Sequence, residues 1–100
     1  MGKQPLLTER ELEAALKELE GWKVEDGGKR IVRTRLFPSF TEAVAFVNRV
    51  AGIAEERNHH PFIGIDYRKV TLRLTTWHSG GLTALDVESA KAYEALESEA

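Results

Sequence analysis

The chain contains no cysteine. Disulfides and thiol nucleophiles are therefore excluded, and the commonest structural zinc ligand is missing. No apolar run approaches the roughly 18 residues that a membrane-spanning helix needs. Neither sign of charge dominates: 14 Lys and Arg face 16 Asp and Glu, for a net charge of −2. That balance gives no electrostatic reason to expect a nucleic-acid partner. The N-terminus lacks the apolar segment of a signal peptide. Met1-Gly2 is not followed by the Ser or Thr of a myristoylation signal, since Leu6 stands there. A cytoplasmic protein without a membrane partner is the expectation. Internal repeats, linkers and low-complexity segments are absent too. What is present is ordinary for a folded domain: 42% hydrophobic and 30% charged residues, in a length of 100 that suits one domain over 1–100, with Met1 to Pro5 as a flexible end. So small a domain buries only part of its surface, and association is a natural way to bury more.

Periodicity gives the elements. Thr8-Glu9-Arg10-Glu11 is a capping box, flanked by Leu7 and Leu12 as a hydrophobic staple. Leu12, Ala15, Leu16 and Leu19 then mark one helix face, and Gly21 stops it. Trp22 and Val24 alternate with Lys23 and Glu25 as a short strand. Asp26-Gly27-Gly28 is a hairpin turn, and 29–37 is the return strand, ended by Pro38. Ser39 and Glu42 suggest another capping box. A long apolar helix follows through Phe40, Ala43, Val44, Val47, Ala51 and Ala54, with Phe46, Val50 and Ile53 widening its stripe. It ends near Arg57, because Pro61 disfavours helical geometry at His60. Ile63, Ile65 and Tyr67 alternate as a third strand, and Val70, Leu72 and Leu74 as a fourth. After Gly80-Gly81, Thr83 to Asp86 can cap a last helix carrying Leu85, Ala92, Tyr93 and Leu96. The fold class read from this is α+β, in the order α-β-β-α-β-β-α. Its four-stranded antiparallel sheet should have helices packed on one face. Arg33, Arg35 and Arg73 read as a basic strip on a sheet face.

The chemistry concentrates between Glu55 and Asp86. All three histidines lie there, in Glu55-Glu56-Arg57-Asn58-His59-His60-Pro61 and Thr76-Trp77-His78-Ser79-Gly80-Gly81-Leu82-Thr83. Histidine alone gives and takes protons near neutrality with an unperturbed side chain. Two adjacent ones before a proline suggest proton transfer. A zinc site is disfavoured, since adjacent histidines rarely bind one ion and no cysteine helps. Asp86 has a plain alternative role, because a carboxylate at the third helical position serves the helix terminus.

These residues, as spaced, resemble the signature of the pterin-4a-carbinolamine dehydratases. In that family an acidic residue precedes His-His-Pro by four positions. An aromatic comes next, then His or Trp shortly before Gly-Leu-Thr or a close variant, and finally an Asp. Leu19-Glu20-Gly21-Trp22 is similar to the Leu-x-Gly-Trp that closes the family's first helix. Phe37, Phe40, Ala43 and Phe46 fall on its phenylalanine pattern, so the likeness covers about residues 7 to 97.

The resemblance implies loss of water from a 4a-hydroxytetrahydropterin to give a quinonoid dihydropterin, with no metal and no organic cofactor. The reaction would belong to tetrahydrobiopterin recycling after an aromatic amino acid hydroxylase. His59 and His60 match the catalytic pair. Substrate contact is implied for Glu55, Asn58, His59, His60, Pro61, Thr76, Trp77, His78, Ser79 and Asp86. Trp77 stands where many members carry a third histidine. Extended-strand parity would turn His78 away from it. The family also implies a homo-oligomer, a tetramer with a dimer as fallback. The rival reading is a non-catalytic binding, assembly or transcriptional coactivator protein of the same fold.

Overall fold

Two β-hairpins lie side by side in one antiparallel sheet in the computed structural model, which describes residues 4–98. The elements are α1 (Glu9–Lys17), β1 (Trp22–Glu25), β2 (Arg30–Leu36), α2 (Phe40–Arg57), β3 (Phe62–Asp66), β4 (Lys69–Leu74) and α3 (Ala84–Ser98). Their order is α-β-β-α-β-β-α, and the class is α+β. Met1 to Lys3 of the expected flexible end lie outside the described residues. Gln4 is tied down, its carbonyl accepting the Ser79 hydroxyl at 2.6 Å.

The strand order is β1-β2-β4-β3. The two central strands pair with Ile31 opposite Leu74, Arg33 opposite Leu72 and Arg35 opposite Val70. Opposed residues share a face, so this register defines the helix-covered side. Ile31, Val70, Leu72 and Leu74 are buried there with Ala43, Phe46 and Val50 of α2 and Ala90 and Tyr93 of α3. Burying each larger aliphatic side chain contributes about 1.5–3 kcal/mol. Leu12 and Leu16 of α1 pack on this core half-buried. The Thr8 capping box forms in full, hydroxyl to Glu11 amide at 3.1 Å and Glu11 carboxylate to Thr8 amide at 2.8 Å. The Ser39 box is half made: its hydroxyl accepts the Glu42 amide, and the Glu42 carboxylate takes the Ser39 hydroxyl instead of its amide.

Four expectations need correction. Arg33, Arg35 and Arg73 do not form one strip. Arg33 and Arg35 share the helix-covered face, whereas Arg73 pairs with Val32 on the open one. Arg33 is tolerated there because Glu94 of α3 meets its Nε at 3.2 Å and also accepts the Trp22 indole N–H at 2.9 Å. Its guanidinium occupies the place where a Cβ on residue 21 would sit, and Gly21 takes φ +92. Arg35 stacks its guanidinium 4.7 Å from the Phe37 ring centroid. Tyr67 belongs to the turn and not to β3: Asp66 pairs with Lys69, leaving Tyr67-Arg68 as a two-residue loop with φ +56 at an exposed Tyr67. Trp77 and His78 are not extended either. Trp77–Ser79 is a turn of 3-10 helix, so strand parity says nothing about His78. Finally, the widened stripe of α2 is not spare apolar surface: Phe46 and Val50 are buried in the monomer core, and Ile53 packs half-buried against it.

Candidate active site

The end of α2 decides where the two neighbouring histidines go. Asn58 takes the left-handed conformation, φ 51 and ψ 42. The Asn58 amide donates to the Glu55 carbonyl at 3.3 Å and the His59 amide to the Ala54 carbonyl at 3.1 Å. This pair of bonds is a Schellman motif, with Asn where glycine is usual because its short polar side chain tolerates that geometry. The chain reverses direction within one residue, and Pro61 then holds His60 extended at the entry to β3. Two adjacent imidazoles therefore face different surroundings.

His59 turns inward to α3. Its Nε2 lies 2.7 Å from Asp86 Oδ1, and the two side chains are 12% and 0% exposed. Asp86 Oδ2 accepts the Thr76 hydroxyl at 2.7 Å and the Thr83 amide at 2.9 Å. The Thr76 and Thr83 hydroxyls meet at 2.7 Å, and Thr83 Oγ1 accepts the Leu85 amide at 3.2 Å. Only one proton assignment satisfies every contact. A carboxylate accepts only, so Thr76 donates to Asp86, Thr83 donates to Thr76, and His59 carries its proton on Nε2. Both readings of Asp86 thus hold together, since one oxygen serves the helix terminus and the other the imidazole.

His60 turns outward. Its Nε2 meets Glu55 Oε2 at 2.6 Å, with the side chains 54% and 77% exposed. The ring forms part of the wall of a cleft of about 520 Å³ on the open face of the sheet, beside Pro61, Phe62, Thr75 and Trp77. The indole of Trp77 stands out into solvent, 87% exposed. Glu25, Arg30 and Arg73 line the rest of the cleft.

Of the residues expected to contact substrate, the structure joins Glu55 to His60, and Asp86 to His59 and Thr76. It sets His60, Pro61 and Trp77 on one cleft. Glu55, one helical turn before His59, meets the His60 imidazole. Asn58 supplies a backbone turn. Ser79 points to Gln4, and His78 is exposed outside the cleft lining. The motif marks neither the Thr83 hydroxyl of the Asp86 network nor Glu25, Arg30, Phe62 and Thr75 as cleft walls. The shared open-face parity of Glu25, Phe62, Arg73 and Thr75 was the signal available for them. Among the described residues no group of three or more His, Asp or Glu is placed to hold a metal ion. No described helix is long and apolar enough to cross a membrane.

Fold and site together define a small α+β module with two histidine–carboxylate pairs around the start of β3. The family model described as "Pterin 4 alpha carbinolamine dehydratase" matches residues 5–96. The chain belongs to that family. A relative from Sulfurisphaera tokodaii that carries the family's name is 47% identical over 90 residues, 90% of this chain and 95% of that protein. Another, from Thermomicrobium roseum, is 46% identical over 92 residues, 92% of this chain and 97% of its own. A crystal structure from Brucella melitensis, described as a transcriptional coactivator/pterin dehydratase, superposes with TM-score 0.88 at 36% identity, covering 92% of this chain and 98% of that one. A pterin dehydratase-like RuBisCO assembly factor of the alpha-carboxysome shares the fold, with TM-score 0.66 at 22% identity over 77% of this chain and 89% of its own.

Proposed function

We propose that the protein is a 4a-hydroxytetrahydropterin dehydratase acting in tetrahydropterin recycling, without a metal or organic cofactor. The observation that carries this is the His60–Glu55 pair on the wall of an open cleft beside an exposed indole, in a chain of the dehydratase family. In the reaction the C4a–O bond breaks, the oxygen leaves as water, and N5 loses its proton as the N5=C4a double bond forms. Hydroxide leaves poorly, so a proton must reach the departing oxygen while another is taken from N5. A positioned imidazole can do either, and such help contributes about 10²–10⁴-fold. His60, in the cleft and paired with Glu55, exchanges the proton with substrate. His59 keeps Nε2 committed to Asp86 and has Nδ1 left for a second transfer. Trp77 cannot titrate near neutrality, and it stacks on the flat ring.

The experiment is a dehydration assay on chemically generated 4a-hydroxytetrahydropterin. Purified protein should outrun the spontaneous reaction, and chelator should leave the rate unchanged. A rate equal to the spontaneous one would instead favour a binding or coactivator protein, the reading that indole in place of a third histidine keeps open. We further propose a homotetramer built as a dimer of dimers, with a dimer as the simpler assembly. Phe46, Val50 and Ala90 lend this no support, being buried in the monomer. Support comes from the edge strand β3, where Phe62 is 56% and Ile65 41% exposed. Light scattering at micromolar concentration checks it, and a mass near 11.2 kDa would overturn it.

A further inference from the structure

We propose that Glu25 and Arg73 read the 2-amino-4-oxo edge of the pterin ring, so that this ion pair decides which pteridines the cleft admits. The inference rests on the pterin reading of the cleft given above. Arg73 Nε donates to Glu25 Oε1 at 2.7 Å. Arg30 Nε stands 3.6 Å from the same oxygen. Arg73 Nε alone hydrogen-bonds Oε1, Arg30 Nε being buried without a hydrogen-bond partner, and among the described residues neither Oε2 nor the terminal nitrogens of Arg73 has a hydrogen bond. The pair is held from several sides. Glu25 reaches from β1 across Arg30 of β2 to Arg73 of β4, whose guanidinium carbon lies 5.1 Å from the centroid of the Phe62 ring on β3. Phe62 is directly opposite Arg73 in the β3–β4 register.

A planar donor fixed beside a planar acceptor is what this arrangement presents to the cleft. The pterin ring offers the complement, with O4 as acceptor beside N3–H and the 2-amino group as donors. The charges also suit a neutral ring. Glu25 answers Arg73, while Asp26, 3.8 Å from Arg30, answers the second cation, leaving no surplus for an anionic ligand. C4 joins this edge to C4a, the carbon that loses water. Docking the edge on Glu25 and Arg73 thus leaves C4a and N5 facing the wall of His60 and Trp77. A site built to hydrogen-bond a group discriminates strongly against an analogue that lacks it.

Three fluorescent probes test the assignment in titrations of the full chain: unsubstituted pterin, lumazine and biopterin. Lumazine has a carbonyl where pterin has the 2-amino group, so it sets an acceptor against Glu25. The native protein should prefer pterin to lumazine by about tenfold or more, the discrimination expected of a charge-assisted hydrogen bond. Glu25→Gln should collapse that preference to near unity, because the amide can donate to lumazine. Arg73→Met should weaken pterin and lumazine alike by about tenfold, since both carry O4. The biopterin-to-pterin ratio should stay constant throughout. A folded Glu25→Gln protein that keeps the native pterin–lumazine preference overturns the assignment. So does a change confined to the biopterin-to-pterin ratio, which would make the pair a reader of the ring's side chain. Native protein that binds none of the probes overturns the pterin reading itself, and this inference with it.

Discussion

Two histidines one residue apart each meet a carboxylate at almost the same distance, 2.7 Å for His59 and 2.6 Å for His60. Only their surroundings differ. The Asp86 carboxylate is fully buried and holds Thr76, the Thr83 amide and the His59 ring in one closed set of hydrogen bonds. The Glu55 carboxylate is mostly in water and, among the described residues, its side chain meets only His60. Buried, a hydrogen-bonded charge is costly to disturb, because every partner left behind is orphaned in a low dielectric. Exposed, the same pair is screened and contributes little to stability. The inner pair therefore builds the site and fixes the His59 ring within it, while the outer pair stands open to substrate.

The largest effect that could break this contrast is Asp86→Ala. It orphans His59, the Thr76 hydroxyl and the Thr83 amide together, and should cost about 3–5 kcal/mol of stability, read from the denaturant midpoint. A loss no greater than that of Glu55→Ala would remove the distinction. The buried side extends along α3 to Tyr93. Burial, reinforced by the Asp86 charge, pushes its hydroxyl up from 10.0 to about 12. The folded protein thus resists a deprotonation that the unfolded chain undergoes freely. Stability should be insensitive to this group below pH 10 and fall by about 2–3 kcal/mol as pH rises to 12 and beyond. Tyr93→Phe should flatten that alkaline fall in urea titrations run at each pH.

Effects on turnover sharpen the contrast from the other side. His60→Ala should lower turnover by at least about tenfold with the unfolding midpoint unchanged. His59→Ala should lower both together. Trp77→His should retain pterin binding and raise turnover or admit the other C4a stereoisomer, whereas Trp77→Ala should weaken binding. Equal affinity and rate in all three proteins would place the indole outside the site. Smallest of all should be His78→Ala, whose ring is exposed outside the cleft lining. If it proved more damaging than His60→Ala with folding intact, the assignment of the pair would be wrong.

How much of this was legible depends on the range of the interaction concerned. The Thr8 box, the end of α2 near Arg57 and the alternation of β4 are set by neighbours within a turn or a strand, and periodicity finds them. The partner of each histidine is set by Asn58. A left-handed residue there swings His59 to a helix 27 positions away in sequence, and no local pattern announces that Asn will take a place usually given to glycine. The arginines failed for a related reason. Arg33 has the alternation of a solvated face, and distant residues such as Glu94 and Gly21 help make it tolerable under the helices. Trp77–Ser79 misled because a run after a strand reads as more strand until the 3-10 turn before Gly80 is seen. Resemblance supplied what periodicity could not, since it named His59, His60 and Asp86 as a group without saying which faced which.

The division of labour between the two histidines can be tested most directly in one measurement. Dehydration of chemically generated 4a-hydroxytetrahydropterin is followed with native protein and with His60→Ala, each with and without added imidazole. The native rate should exceed the spontaneous one. His60→Ala should lose at least about tenfold of it, and free imidazole entering the open cleft should restore part of the loss. A His60→Ala protein that dehydrates at the native rate, with or without imidazole, would contradict the assignment of proton exchange to the exposed histidine.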